Sequence, residues 1–247
     1  YSAGTGSCPD VENSFVVTIN DTPLADAPAD VEACVAYELP SLTNGNYFTG
    51  TGGTGTALSA GDNITSTQTI FVYSPGTGSC PDVENSFVVT INPLDDATFA
   101  YTDLSFCVDA TDPSPTITGL AGGTFSSTAG LVIDAVTGVI DVSASTPGTY
   151  TVTYTTSGTC TNSSTQSVTI NALPVIATTQ TPLTGCDTDD GIITVSGGGA
   201  TGVVNWTGTA SGTSGSVTLP YDITNLAPGT YDLTFTDDST GCTSLVS

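Results

Sequence analysis

The sequence predicts an all-β chain built from repeated modules, on three observations. Residues 1–20 and 73–92 are the same peptide but for Ala3 against Pro75, at an offset of 72 residues; near-identical copies at fixed spacing mark a repeat architecture. Thr supplies 48 of the 247 residues, alongside 28 Gly and 14 Pro, a composition of strands and turns. No window holds a 3.6-residue apolar period for three turns, whereas short runs alternate with period two.

Each repeat closes on a strand that runs into Ile-Asn. Residues 14–20 and 86–92 both read SFVVTIN, and 165–171 read TQSVTIN. Val17, Ile19, Val89, Ile91, Val168 and Ile170 alternate as a half-buried strand requires, and Pro23, Pro93 and Pro174 stop the ladder by withholding a donor. Boundaries therefore fall near 20, 92 and 171. Residues 1–20 read as the C-terminal strands of a truncated preceding module, 21–92 as module 1, 93–171 as module 2, and 172–247 as module 3 with its final strand missing.

Module 2 shows the internal pattern best. Strands are expected at 97–101, 106–110, 115–118, 123–126, 131–133, 138–142, 149–155 and 165–170. The string DAVTGVIDVS places an Asp134…Gly138 turn between two apolar runs, a hairpin signal. PGTYTVTYTT then alternates Tyr150, Val152 and Tyr154 against Thr, and NLAPGTYDLTFTD repeats that register with Tyr231, Leu233 and Phe235. Module 1 has no PGTY strand, so its inner strands are less defined. About seven short strands per unit, with turns every 8–12 residues, describe an immunoglobulin-like β-sandwich. The fold class is thus all-β: tandem immunoglobulin-like sandwiches arranged end to end, one disulfide per module.

The seven cysteines stand at 8, 34, 80, 107, 160, 186 and 242. Without histidine or a C-x-x-C pair they read as structural disulfides of an extracellular protein. Sorted by repeat they suggest Cys34–Cys80, Cys107–Cys160 and Cys186–Cys242, with Cys8 left over from the preceding module. With no initiating Met and no signal peptide, the chain reads as an internal slice of a larger secreted protein.

Charge excludes more than it suggests. There are 24 acidic residues and no Lys, Arg or His, a net charge of -24. Nothing can neutralise a nucleic-acid phosphate, an anionic membrane surface repels the chain, and no apolar run is long enough to span a bilayer. The serines and thiols have no basic partner to activate them, and the Gly-Thr runs lack the Lys of a phosphate loop. The reading is non-enzymatic, with no resident cofactor.

Calcium is the one cation the composition invites, because it takes oxygen ligands. Acidic residues gather near module starts: Asp21 and Asp26; Asp95, Asp96 and Asp103; Asp187, Asp189 and Asp190. Asp95 and Asp96 adjoin the first junction and are the metal candidates, weighed against solvated turn caps. Tyr101, Tyr150, Tyr154, Tyr231 and Phe235 read as core. Trp206, the single tryptophan, beside a Gly/Ser/Thr stretch, is the candidate ligand contact, with strand packing as the alternative.

DDGIITVSGGG, a central Trp, then ITNLAPGTYDLTFTDDSTGC resembles the SprB-type repeat of giant Bacteroidetes cell-surface adhesins used in gliding motility. GGTFSSTAGLVIDAVTGVIDVSASTPGTYTVTYTTSGTC resembles the immunoglobulin-like repeats beside them. The resemblance covers 93–247 and reaches 1–92 through the duplicated SCPDVENSFVVTIN. It implies a long filament at the cell surface, exported by the type IX system. Its partners would be adjacent modules and outer-membrane anchoring or gliding machinery. The function expected is a stalk that spaces an adhesive region from the cell. Two alternatives stand beside it: carbohydrate-binding accessory modules of a secreted hydrolase, which would show an exposed aromatic cluster, and subunits of a self-assembling filament, in which one chain's strand completes its neighbour.

Overall fold

The computed structural model describes residues 4–7, 12–185 and 189–246. Every regular element among them is a strand. The chain divides into two compact units, residues 1–94 and 95–247, the first built on one hydrophobic core and the second on two.

Unit 1 contains β1 (Val31–Cys34), β2 (Tyr37–Glu38), β3 (Asn46–Gly50), β4 (Thr54–Leu58), β5 (Asn63–Ile64), β6 (Gln68–Ser74) and β7 (Val83–Asn92). Its main sheet runs β1-β7-β6-β3-β4, faced by the β2-β5 pair. All neighbours are antiparallel except β1 and β7, which run parallel. A last strand flanked by its hairpin partner and by a parallel first strand is the five-stranded sheet of an immunoglobulin-like sandwich. Alternation puts Tyr47, Ile70, Val72, Phe87 and Val89 inward, onto Leu39 and Ile64 of the facing layer.

Unit 2 begins with β8 (Phe99–Ala100), β9 (Ser105–Cys107), β10 (Thr116–Ile117), β11 (Thr124–Ser127), β12 (Val132–Ile133), β13 (Ile140–Asp141), β14 (Gly148–Thr155) and β15 (Ser163–Asn171). The main sheet, β11-β14-β15-β9, repeats the unit 1 order, again with a parallel first strand. β12 and β13 form the hairpin expected around Asp134 and Gly138. The Asp134 carboxylate accepts the amides of Val136 and Thr137, and Gly138 turns the chain at φ 72°, where a side chain would be strained and a Cβ would meet Phe125.

The third sandwich holds β16 (Ala177–Thr181), β17 (Gly191–Ser196), β18 (Thr201–Gly208), β19 (Gly212–Thr218), β20 (Tyr221–Leu226) and β21 (Tyr231–Asp237). Its sheets are β16-β17-β20 and β19-β18-β21. The two PGTY motifs do the same job in both sandwiches of unit 2. Tyr150 donates its hydroxyl to the Thr146 carbonyl at 2.6 Å, and Tyr231 to Ala227 at 3.0 Å. Each ties the start of its strand to the corner four residues upstream, the tyrosine corner of immunoglobulin-like domains.

The predicted core aromatics lie where alternation put them. Tyr101, Tyr150, Tyr154 and Phe235 are buried and Tyr231 packs half-buried against the third core. Tyr154 is fully enclosed, sharing its hydroxyl between the Leu120 carbonyl and the Gly123 amide. Burial pushes the Tyr101 hydroxyl up to about 12.

One expected strand is absent. Residues 14–20 belong to no sheet, and Phe15, Val16, Val17 and Ile19 are exposed. Their copy at 86–92 lies within β7 between two neighbours. The physical difference is partners: a strand without a sheet to join has no ladder and no face to bury.

Candidate functional site

The residues that could carry function lie in unit 2, at a covalent junction and at an open sheet edge. Cys107 is bonded to Cys242, 135 positions further along the sequence, with Cα atoms 5.6 Å apart. This corrects the expected pairings Cys107–Cys160 and Cys186–Cys242. Cys34–Cys80 is corrected too: Cys80 is a free thiol, while Cys34 and Cys160 are both disulfide-bonded. Cys8 and Cys186 lie outside the described residues.

Strand direction explains the correction. Cys107 ends β9, opposite Asn171 at the trailing end of β15. Cys160 lies in the turn before β15, where its carbonyl accepts the Asp95 amide at the leading end. The nine residues of β15 separate the two by roughly 27 Å, and a disulfide needs Cα atoms within about 7 Å. Cys34 and Cys80 stand likewise at opposite ends of β7. A trailing-end cysteine can instead meet a leading-end cysteine of the following sandwich. Cys242 is such a residue, in the turn after β21, its carbonyl accepting the Asp237 amide. The bridge therefore staples two successive sandwiches.

Asp95 and Asp96 work as hydrogen-bond acceptors at the start of unit 2. Asp95 accepts the Thr156 hydroxyl at 2.9 Å, and its carbonyl takes the Asn162 amide group. Asp96 caps Thr98, whose hydroxyl and amide hold its carboxyl below the usual carboxylate range. Among the described residues no three His, Cys, Asp or Glu side chains come together as a metal set. Asp190 accepts from Thr184, and Asp187 lies outside the described residues.

The same capping recurs along the chain and puts many of the acidic residues in turns. The Thr43 amide lowers Asp26, the Gly76 amide Asp82, the Thr137 amide Asp134, the Ala144 amide Asp141, and the Ser239 hydroxyl Asp237. With no basic side chain present, amides and hydroxyls are what stabilise these charges.

Trp206 lies on β18 between β19 and β21. It is half-buried, packs on the third core, and covers Gly212, where any Cβ would collide with the indole.

Sequence reasoning did not single out the edge of the third sandwich. β21 pairs with β18 and ends its sheet. Ser244 begins a return strand by donating to the Phe235 carbonyl at 2.8 Å, but Leu245 and Val246 turn out to solvent. Beside the edge opens a groove of about 540 Å³, lined among others by Thr178, Leu183, Ile192, Leu226, Tyr231 and Leu233. The alternation of Tyr231 and Leu233 was the signal available in the sequence.

No family model matches the chain, and no curated protein matches it. Solved structures do. The titin I-band fragment I67–I69 is 10% identical at a TM-score of 0.38, covering 92% of this chain and 98% of its own. Mouse cadherin-23 EC22–24 is 13% identical at 0.34, covering 91% and 97%. Sidekick-1 immunoglobulin domains 1–5 are 12% identical at 0.31, and a SusE-like surface-located polysaccharide-binding protein of the Bacteroides thetaiotaomicron heparin utilisation locus is 13% identical at 0.28. The chain spans 58% and 48% of those last two. Scores this low carry no argument about relationship; the chain's own ladders and tyrosine corners make it a tandem immunoglobulin-like β-sandwich protein.

Proposed function

We propose that this chain is a non-enzymatic stalk segment of a long cell-surface adhesin, spacing an adhesive region from the cell and transmitting force in attachment or gliding. The observation that carries the reading is the Cys107–Cys242 bridge. A force drawn along unit 2 passes from residue 107 directly to 242 through a covalent bond. The two sandwiches within that loop are bypassed, so the junction resists load without relying on hydrogen-bond ladders. A stalk needs that property; a catalyst or a single binding module does not. The duplicated 20-residue block supports it, since copying a motif adds length. The resemblance to SprB-type repeats supports a gliding adhesin exported by the type IX system. By the same stagger, Cys80 at the leading end of the first sandwich would take a trailing-end cysteine of a preceding module.

Single-molecule stretching between residues 95 and 246 tests the reading. The oxidised chain should show no unfolding extension within the 135-residue loop. Reduction should release that loop, roughly 450–490 Å of contour at the rise of an extended chain. Stepwise unfolding of both sandwiches before reduction would refute a force-bypassing stalk.

A further inference from the structure

We propose that Asn44–Gly45 is a spontaneous modification site: its deamidation needs only water, and it turns the hydrogen bond that latches residue 44 to Asp26 on the first sandwich into a contact between like charges. The proposal does not depend on the stalk reading.

The fold imposes both halves of the pair. Asn44 is the one asparagine in the chain that precedes a glycine. Gly45 opens the turn into β3 at φ 86°, where a side chain is strained, and a Cβ there would stand 2.9 Å from Val72 of the core. Lacking a side chain, Gly45 also leaves its own amide nitrogen unhindered as a nucleophile. Among the described residues no group accepts that amide, so it is free to lose its proton. Asn44 serves as a latch. Its Nδ2 donates to Asp26 Oδ1 at 3.1 Å, and its carbonyl accepts the Asp26 amide at 3.1 Å. The Thr43 amide donates to the other carboxylate oxygen at 2.6 Å. Together these bonds seat the entry segment of the sandwich, where Ala25 packs on the core and its carbonyl accepts from the Asn85 side chain at 2.9 Å.

The chemistry balances without a catalyst. The Gly45 nitrogen gives its proton to water and attacks Asn44 Cγ, forming a C–N bond that closes a cyclic imide. The Cγ–Nδ2 bond breaks, and Nδ2 leaves as ammonia with a proton returned from water. A second water opens the ring at either carbonyl, leaving aspartate or isoaspartate and releasing a proton. Nothing is oxidised or reduced. Either product puts a carboxylate where the donor to Asp26 stood, and isoaspartate also adds a carbon to the main chain ahead of β3. The Thr43 and Asn44 contacts hold the Asp26 carboxyl below its usual range, so it stays charged beside the new anion, and like charges at close range repel. The chain has no Lys, Arg or His to stand between them.

Ageing the full chain in warm, mildly alkaline buffer tests the proposal. A glutamate-specific protease then releases residues 39–84, between Glu38 and Glu84, and fragmentation locates the change. Conversion should appear at residue 44 ahead of every other asparagine, part of it as isoaspartate that an isoaspartyl methyltransferase labels. Hydrogen exchange at the Asp26 and Thr43 amides should then quicken at least about tenfold, the scale of one charge-assisted hydrogen bond. Asn44→Asp in fresh protein should reproduce that gain. The swap Asp26→Asn/Asn44→Asp should reverse it, because donor and acceptor only trade places. Amides of β14, in the second sandwich, should stay as they are throughout, which separates an opened latch from general unfolding. Asn44 still intact after a synthetic SLTNGNYF peptide has fully converted would overturn the proposal. So would Asn44→Asp with unchanged exchange at Asp26 and Thr43, or a swap that restores no protection.

Discussion

Phe15 and Phe87 occupy the same place in the same nine-residue sequence, ENSFVVTIN, yet Phe15 is 86% exposed and Phe87 is 2% exposed. Local propensity, alternation and turn chemistry are matched between the two, so none of them explains the difference. What differs is company. Residues 86–92 have β6 on one side and β1 on the other, and Leu39 and Ile64 beneath. Residues 14–20 have none of these. A β-branched, alternating heptapeptide is therefore a strand only on condition that a sheet receives it, as expected if strand preference measures fit to a pleated, half-buried surface.

The largest effect that would sharpen this comparison is truncation at the paired phenylalanines. Phe87→Ala should destabilise the first sandwich by about 3–5 kcal/mol, the usual cost of emptying a core aromatic position. Phe15→Ala should change the stability of a dilute chain by less than about 0.5 kcal/mol. Urea unfolding of the two variants against the parent reads both. Equal losses would mean that the first copy is packed after all.

A smaller effect comes from acid, which acts on the folded copy and its surroundings. Asp82 caps the approach to β7, and the Gly76 amide and the Tyr73 hydroxyl hold its carboxyl below the ordinary aspartate value of 3.8. Asp26, Asp96, Asp134, Asp141 and Asp237 are lowered in the same way. A depressed pKa contributes stability above the unfolded value, and that stability is lost as pH falls through the folded value. Opposing it, protonation relieves the repulsion of a chain at -24. Melting temperature at fixed ionic strength should therefore rise as pH falls from 7 towards the ordinary carboxylate range, then drop below about 3.8. A monotonic rise into strong acid would show that the caps contribute nothing.

Much of the fold was legible because β periodicity and turn residues are local. The alternation of Tyr150, Val152 and Tyr154 gave β14, and DAVTG gave the β12–β13 hairpin. The short strands of module 2 came out within a few residues of expectation. The cysteine pairing was not legible by proximity in sequence, because Cys107 and Cys160 share a module but sit at opposite ends of one strand. It becomes readable once strand direction is drawn: a cysteine on a first strand parallel to the last one lies at the trailing end, and a cysteine in the final hairpin lies at the leading end. The fate of residues 14–20 was not in the segment at all, since its sequence is that of β7. The groove beside β21 escaped notice because its walls, among them Thr178, Leu183, Ile192 and Leu226, come from segments far apart in the sequence.

Hydrogen exchange followed by NMR tests the central comparison most directly, because nine identical residues give the two copies closely matched intrinsic exchange rates. In a dilute, oxidised sample the amides of Phe87 and Val89, which face β6 across the ladder, should be slowed by at least about a thousandfold, as sheet amides opening only sub-globally are. Those of Phe15 and Val17 should exchange close to the unprotected rate. Equal protection of the two copies in single chains would contradict the account.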